Sequence, residues 1–92
     1  MTTLQIEVED AHPVDVACDS EHLSVTLRDG RVLRAPLWWY PRLWNATPPA
    51  RQDIEVMPMG IHWPQIDEDI SVASMLTGQK APGARAPREI KR

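Results

Sequence analysis

The chain has no phenylalanine, one tyrosine, one cysteine and four glycines in 92 residues. Cys18 has no second thiol with which to form an intramolecular disulfide or a CxxC metal clip, so a reducing compartment suits the chain best. Its glycines form no phosphate-cradling loop, and no GxSxG, HExxH or paired-carboxylate pattern is present. No run approaches the roughly 18 apolar residues that span a bilayer. The opening MTTLQIEVED is acidic where a signal peptide is basic and then apolar. These absences lead to the expectation of a cytoplasmic protein that is not an enzyme and carries no cofactor or metal.

What is present fits an ordinary folded chain, with 42% apolar and 25% charged residues and room for one core. The net charge of −3 hides an asymmetry. Residues 1–78 carry 12 acidic and 5 basic side chains, a balance of −7, whereas residues 79–92 carry 5 basic and 1 acidic, a balance of +4. An acidic body is a poor grip for phosphates. The end QKAPGARAPREIKR holds almost nothing apolar besides Ile90, so a disordered basic tail is expected over 79–92, following a single domain over 1–78. Lys80, Arg85, Arg88, Lys91 and Arg92 are its cations.

Alternation places strand character at Leu4, Ile6 and Val8, again at Val14 and Val16, and then at Leu23, Val25 and Leu27. Asp29-Gly30 follows, a strong hairpin signal. A two-residue turn there would leave Leu33 on the polar face. A three-residue loop, Arg28-Asp29-Gly30, with Gly30 left-handed, sets Leu33 opposite Val25 and Ala35 opposite Leu23, so a bulged hairpin is expected. Pro36 and Trp38-Trp39-Tyr40-Pro41 end the sheet run. Short helices are expected from Pro41 and, capped by Thr47, over Pro48 to Asp53. Ile54 to Met59 reads as a further strand.

The last element has consistent signals. Ser71 is placed as the N-cap, Ile70 can staple against Met75, Gly78 can end the helix in a left-handed conformation, and Asp67, Glu68 and Asp69 precede it where the helix dipole favours negative charge. The expected fold class is α+β, with a small antiparallel sheet and two or three short helices.

The run DGR at Asp29 to Arg31, WWYPRLWNAT at Trp38 to Thr47, Arg51, and GIHWPQIDEDISVASMLTG at Gly60 to Gly78 resemble the bacterial family catalogued as domain of unknown function 2442, over roughly residues 14 to 78. The resemblance implies a small α+β fold and no established activity. It also implies, from members similar to this one, a helix-turn-helix appended in some chains and a small uncharacterised neighbour in others, as in toxin–antitoxin pairs. This tail is too short and too rich in proline for a helix-turn-helix.

Three groups of residues can carry chemistry. His62 with Asp67, Glu68 and Asp69 has the ligand types for a divalent metal, against the plainer reading that the carboxylates cap the last helix and His62 packs near Trp63. Cys18 lies among Asp15, Asp19 and Glu21, a neighbourhood that raises a thiol pKa, and reads as a small buried apolar residue. Trp38, Trp39, Trp44 and Trp63 with Tyr40 can supply a core, each burying about 200 Å². Successive side chains on an extended segment face opposite ways, so one of Trp38 and Trp39 is expected outside, beside Tyr40 and Arg42, as an interaction hot spot. The functional expectation is a protein-binding regulatory module, such as the antitoxin-like half of a pair. The alternative is a nucleic-acid accessory acting through the tail, and a metal-dependent enzyme is a distant third.

Overall fold

A computed structural model of the protein describes residues 11–87, so the expected strand through Leu4, Ile6 and Val8 lies outside the described residues. Strands β1 (Pro13–Cys18), β2 (His22–Leu27) and β3 (Val32–Pro36) form one antiparallel sheet in that order. A 3-10 turn over Leu37–Trp39 leads into α1 (Pro41–Trp44) and α2 (Pro48–Gln52). Strands β4 (Glu55–Met57), β5 (Gly60–Trp63) and β6 (Glu68–Ser71) form a second antiparallel sheet, and α3 (Val72–Thr77) follows it. The class is α+β as expected, with two three-stranded sheets in place of one.

The β2–β3 hairpin has the bulged register. Val25 faces Leu33 and Leu23 faces Ala35, the Leu27 amide donates to the Arg31 carbonyl at 2.8 Å, and Gly30 has φ +97°. Asp29 accepts from the Arg31 amide and guanidinium at 3.0 and 2.8 Å, which clamps the loop. The expected alternation of β1 holds only in part. A bulge between Pro13 and Asp15 resets the phase, so Pro13 and Cys18 face inward while Val14 is exposed.

The larger correction concerns Asp67 to Asp69, expected as carboxylates preceding the last helix. Gly60 to Ser71 is a β-hairpin. Ile61 pairs with Ile70 and Trp63 with Glu68, and the turn between them is closed by the Ile66 amide on the Trp63 carbonyl at 3.3 Å. Asp67 takes φ +53° there, a left-handed conformation that aspartate tolerates better than most residues. The acidic run therefore occupies a turn and a strand rather than the first turn of a helix. Ser71 is nevertheless the N-cap of α3, accepting from the Ser74 amide at 3.0 Å, and Gly78 ends the helix at φ +75°. Thr47 caps α2 in the same way through the Ala50 amide.

One core serves both sheets. Leu23, Val25 and Leu27 of β2, Ile61 and Trp63 of β5, Ile70, Val72 and Met75 are buried together with Leu37, Tyr40 and Leu43. Trp63, fully buried, donates its indole N–H to the Arg51 carbonyl at 3.1 Å. The Arg51 guanidinium in turn reaches the carbonyls of Leu43 and Trp44, the last two residues of α1, at 3.0 and 2.9 Å.

The packed body also runs past Gly78. The Ala81 amide donates to the Trp39 carbonyl at 3.0 Å, Lys80 Nζ sits 4.7 Å from the Trp39 ring centroid, and Ala81 packs against the core. Residues 79–81 thus belong with the domain rather than with a loose tail, because Trp39 supplies the apolar and hydrogen-bonding partner that the tail sequence lacks by itself. Arg88, Lys91 and Arg92 lie outside the described residues. No helix among the described residues is long and apolar enough to cross a membrane.

Gly60 is held by close approach. A Cβ there would stand 2.6 Å from the Ile70 carbonyl oxygen and 3.2 Å from the Ser71 Cα, both backbone atoms that cannot rotate away. Gly60→Ala is expected to destabilise the protein by about 1–3 kcal/mol, read as a lower denaturant midpoint at unchanged slope.

Candidate functional site

The tryptophans divide by depth. Trp63 and Tyr40 are core residues, Trp38 and Trp39 are half-buried, and Trp44 alone of the five aromatics is exposed. Trp39 lies beneath Lys80 and beside Gly78. The expected aromatic surface is thereby reduced to Trp44 and one side of Trp38. The backbone there is a 3-10 turn, so the alternation rule for extended chain does not sort the two neighbours.

The structure assembles a different constellation. An open cleft of about 640 Å³ lies along β6 and is lined by Tyr40, Arg42, Glu68, Asp69, Ser71 and Lys80 among others. Three groups far apart in sequence meet in it: the start of α1, the acidic run and the beginning of the C-terminal segment. His62, Trp38, Trp44 and Trp63 do not line it.

Strand alternation determines what each β6 residue presents. Glu68 and Ile70 pair with the buried Trp63 and Ile61, so they point to the core side, whereas Asp69 pairs with His62 on the other face. Glu68 is consequently an inward-pointing carboxylate on an edge strand, its side chain only 13% exposed. Its nearest cation is Arg42 at 3.9 Å, an ion pair too long for a hydrogen bond. The same guanidinium donates to the Asp67 carbonyl at 2.6 Å. Burial raises the Glu68 pKa; Arg42 opposes that rise, and Asp69 and Asp67 add to it. Beside it, the Tyr40 hydroxyl is buried with no hydrogen-bond partner, and burial, with the Glu68 charge second, pushes its pKa up to about 12.

On the opposite face, Glu55, His62 and Asp69 form a row across β4, β5 and β6. His62 Nδ1 lies 2.7 Å from Asp69 Oδ1, and that bond raises the His62 pKa; desolvation opposes the rise, and the charges of Asp69, Glu55 and Asp67 add to it. Glu68 faces the opposite side, Asp67 lies in the turn, and among the described residues no three His, Cys, Asp or Glu side chains converge at metal-binding distance. His62, Asp67, Glu68 and Asp69, which together have the ligand types for a metal, are thus divided between two faces of one strand and its turn. Cys18 is buried, and burial raises its thiol pKa, with Arg51 opposing and Asp19 assisting.

Tyr40, Arg42, Glu68, Asp69 and Lys80 are all candidates on sequence, but in three separate groups. Ser71 is a cleft residue with one sequence signal for it, the strand period of Glu68 to Ser71.

A small two-sheet α+β domain with a polar cleft along an edge strand is the class of protein that this geometry defines. A family model described as protein of unknown function (DUF2442) matches residues 13–81, and the chain belongs to that family. The match ends at Ala81, where the backbone bond to Trp39 closes the packed body. Two solved structures share the fold. The solution structure of an uncharacterized protein from Chromobacterium violaceum is 22% identical, with a TM-score of 0.67 over 78% of this chain and 70% of that one. The crystal structure of a protein of unknown function from Rhodospirillum rubrum is 22% identical, with a TM-score of 0.68 over 79% and 93%. No curated protein matches the chain.

The His62–Asp69 pair gives a signed pH dependence. The folded-state pKa of His62 lies above its unfolded value, so the folded state holds the proton more tightly. The resulting stability is fully present below about pH 6.5 and is lost as pH rises through the folded pKa. Asp69→Asn is expected to flatten that slope between pH 6 and 8 in a series of thermal melts, and an unchanged slope would rule the pair out as its source.

Proposed function

We propose that the protein is a protein-binding regulatory module, the antitoxin-like half of a two-protein pair, with the β6 cleft as its contact site. The observation that supports this reading is an unfinished strand edge beside incompletely paired buried polar groups. In the register of β6 the Val72 amide donates to the Met59 carbonyl at 3.0 Å, so Ile70 and Glu68 also bond inward to β5. Asp69 and Ser71 then direct their backbone groups outward. Arg42 takes the Asp67 carbonyl and the Ser74 hydroxyl takes that of Ser71 at 2.8 Å. Because β6 is the edge strand of its sheet, the amides of Asp69 and Ser71 and the carbonyl of Asp69 face no further strand among the described residues. An edge of this kind is a template for another chain.

Exposed apolar surface supports the same class of function. Val56, Met57 and Met59 stand out around the β4–β5 turn, and methionine suits adaptable contacts. The charge excess of the C-terminal 14 residues favours a second reading, a nucleic-acid accessory acting through Arg85, Arg88, Lys91 and Arg92. Lys80 is already engaged with Trp39 and is a weaker candidate for phosphate.

Co-expression with the product of the adjacent gene is expected to yield a stable complex by affinity capture and size exclusion. Two folded proteins that elute separately would refute the binding reading. Deleting residues 83–92 keeps the Ala81 bond to Trp39 and is expected to leave that complex intact. If the full chain shifts a nucleic-acid duplex at low salt and the deletion abolishes the shift, the second reading takes its place.

A further inference from the structure

We infer that the partner presents an extended, basic segment, which adds as a strand to the outer edge of β6 and sets a lysine or arginine side chain against Glu68. This inference rests on the protein-binding reading above and names the chemistry of the partner.

Geometry specifies the register. Arg42 on the Asp67 carbonyl stops the free edge at one end and the Ser71 cap of α3 stops it at the other, which leaves room for a short pairing centred on Asp69. A residue that exchanges hydrogen bonds with Asp69 has neighbours whose side chains turn to the core side. That is the side on which Glu68 lies with Ile70, over the cleft.

Charge specifies the residue type. The Glu68 side chain is largely buried, and the one cation paired with it among the described residues, Arg42, is 3.9 Å away and donates to the Asp67 carbonyl. A guanidinium or ammonium arriving at hydrogen-bonding distance gives that carboxylate the short charge-assisted contact it lacks. The Tyr40 hydroxyl, buried and unpartnered beside it, is the second polar group that an incoming segment can engage, by donating to a backbone carbonyl of that segment. The described body is acidic, since nine acidic and five basic side chains over residues 11–78 give a balance of −4, which steers a basic segment toward it and repels an acidic one.

Two blocked hexapeptides test this against the full chain, one alternating valine with lysine and one alternating valine with glutamate, followed by amide chemical shifts and amide exchange. The expected result is that the lysine peptide shifts and protects the Asp69 and Ser71 amides, and binds about tenfold tighter than the glutamate peptide, the scale of one charge-assisted hydrogen bond. Glu68→Gln is expected to lose that tenfold, while Glu21→Gln, an exposed carboxylate away from the cleft, leaves binding unchanged. Tyr40→Phe is expected to weaken binding several-fold and to raise the Tm of the free protein, since it removes an unsatisfied buried hydroxyl. Equal binding of the two peptides, equal losses from both glutamate substitutions, shifts centred on Met57 to Met59, or no binding at millimolar peptide would overturn the inference. A co-expressed complex that survives Glu68→Gln at full affinity also overturns it and leaves the broader reading standing. Selective peptide binding without any such complex removes the broader reading instead.

Discussion

The hydrogen bond from the Trp63 indole to the Arg51 carbonyl joins the parts that have least structure of their own. Helices of four and five residues, α1 and α2, are far too short to persist by propensity. Arg51 makes them one unit by sending its side chain back to the last carbonyls of α1 while its backbone receives the indole of β5. The planar fork of arginine suits two adjacent carbonyls better than a lysine would. Burying an indole N–H without a partner is costly, so the sheet that carries Trp63 and the helices that carry Arg51 must settle together. The position of Tyr40 and Arg42, and through them one wall of the cleft, follows from that coupling.

Local chemistry decided which elements could be read from the sequence. The β2–β3 register was legible because only one loop length keeps Leu33 out of water, and α3 was legible because Ser71 and Gly78 mark its two ends independently. The β5–β6 hairpin was hidden by ambiguity. Its turn has no glycine, since Asp67 takes the left-handed position, and three consecutive carboxylates before a helix are physically sensible because the helix dipole favours negative charge there. The strand period of Ile61, Trp63, Glu68 and Ile70 was present but was broken by Pro64 and by a charge on the buried side.

The candidate site was harder to read than the fold for a different reason. Tyr40, Glu68 and Lys80 are separated by tens of residues, and nothing local in any of them announces a neighbour. Glu68 looked like one of three equivalent acids. Pairing with β5 separates them: Asp69 turns to His62, Asp67 forms a turn, and Glu68 alone is carried to the core side. Burial then makes its chemistry unlike that of its neighbours. Composition and spacing cannot supply a difference that arises only from which way a strand faces.

The attachment of Ala81 to Trp39 fixes where the rest of the chain begins. Pro82 lines the cleft, so any sequence joined beyond it starts within a few residues of the β6 edge. Short tethers correspond to effective concentrations in the millimolar range. A module fused at this end would meet the cleft as an intramolecular ligand, and an affinity in the micromolar range between the two would be close to saturation.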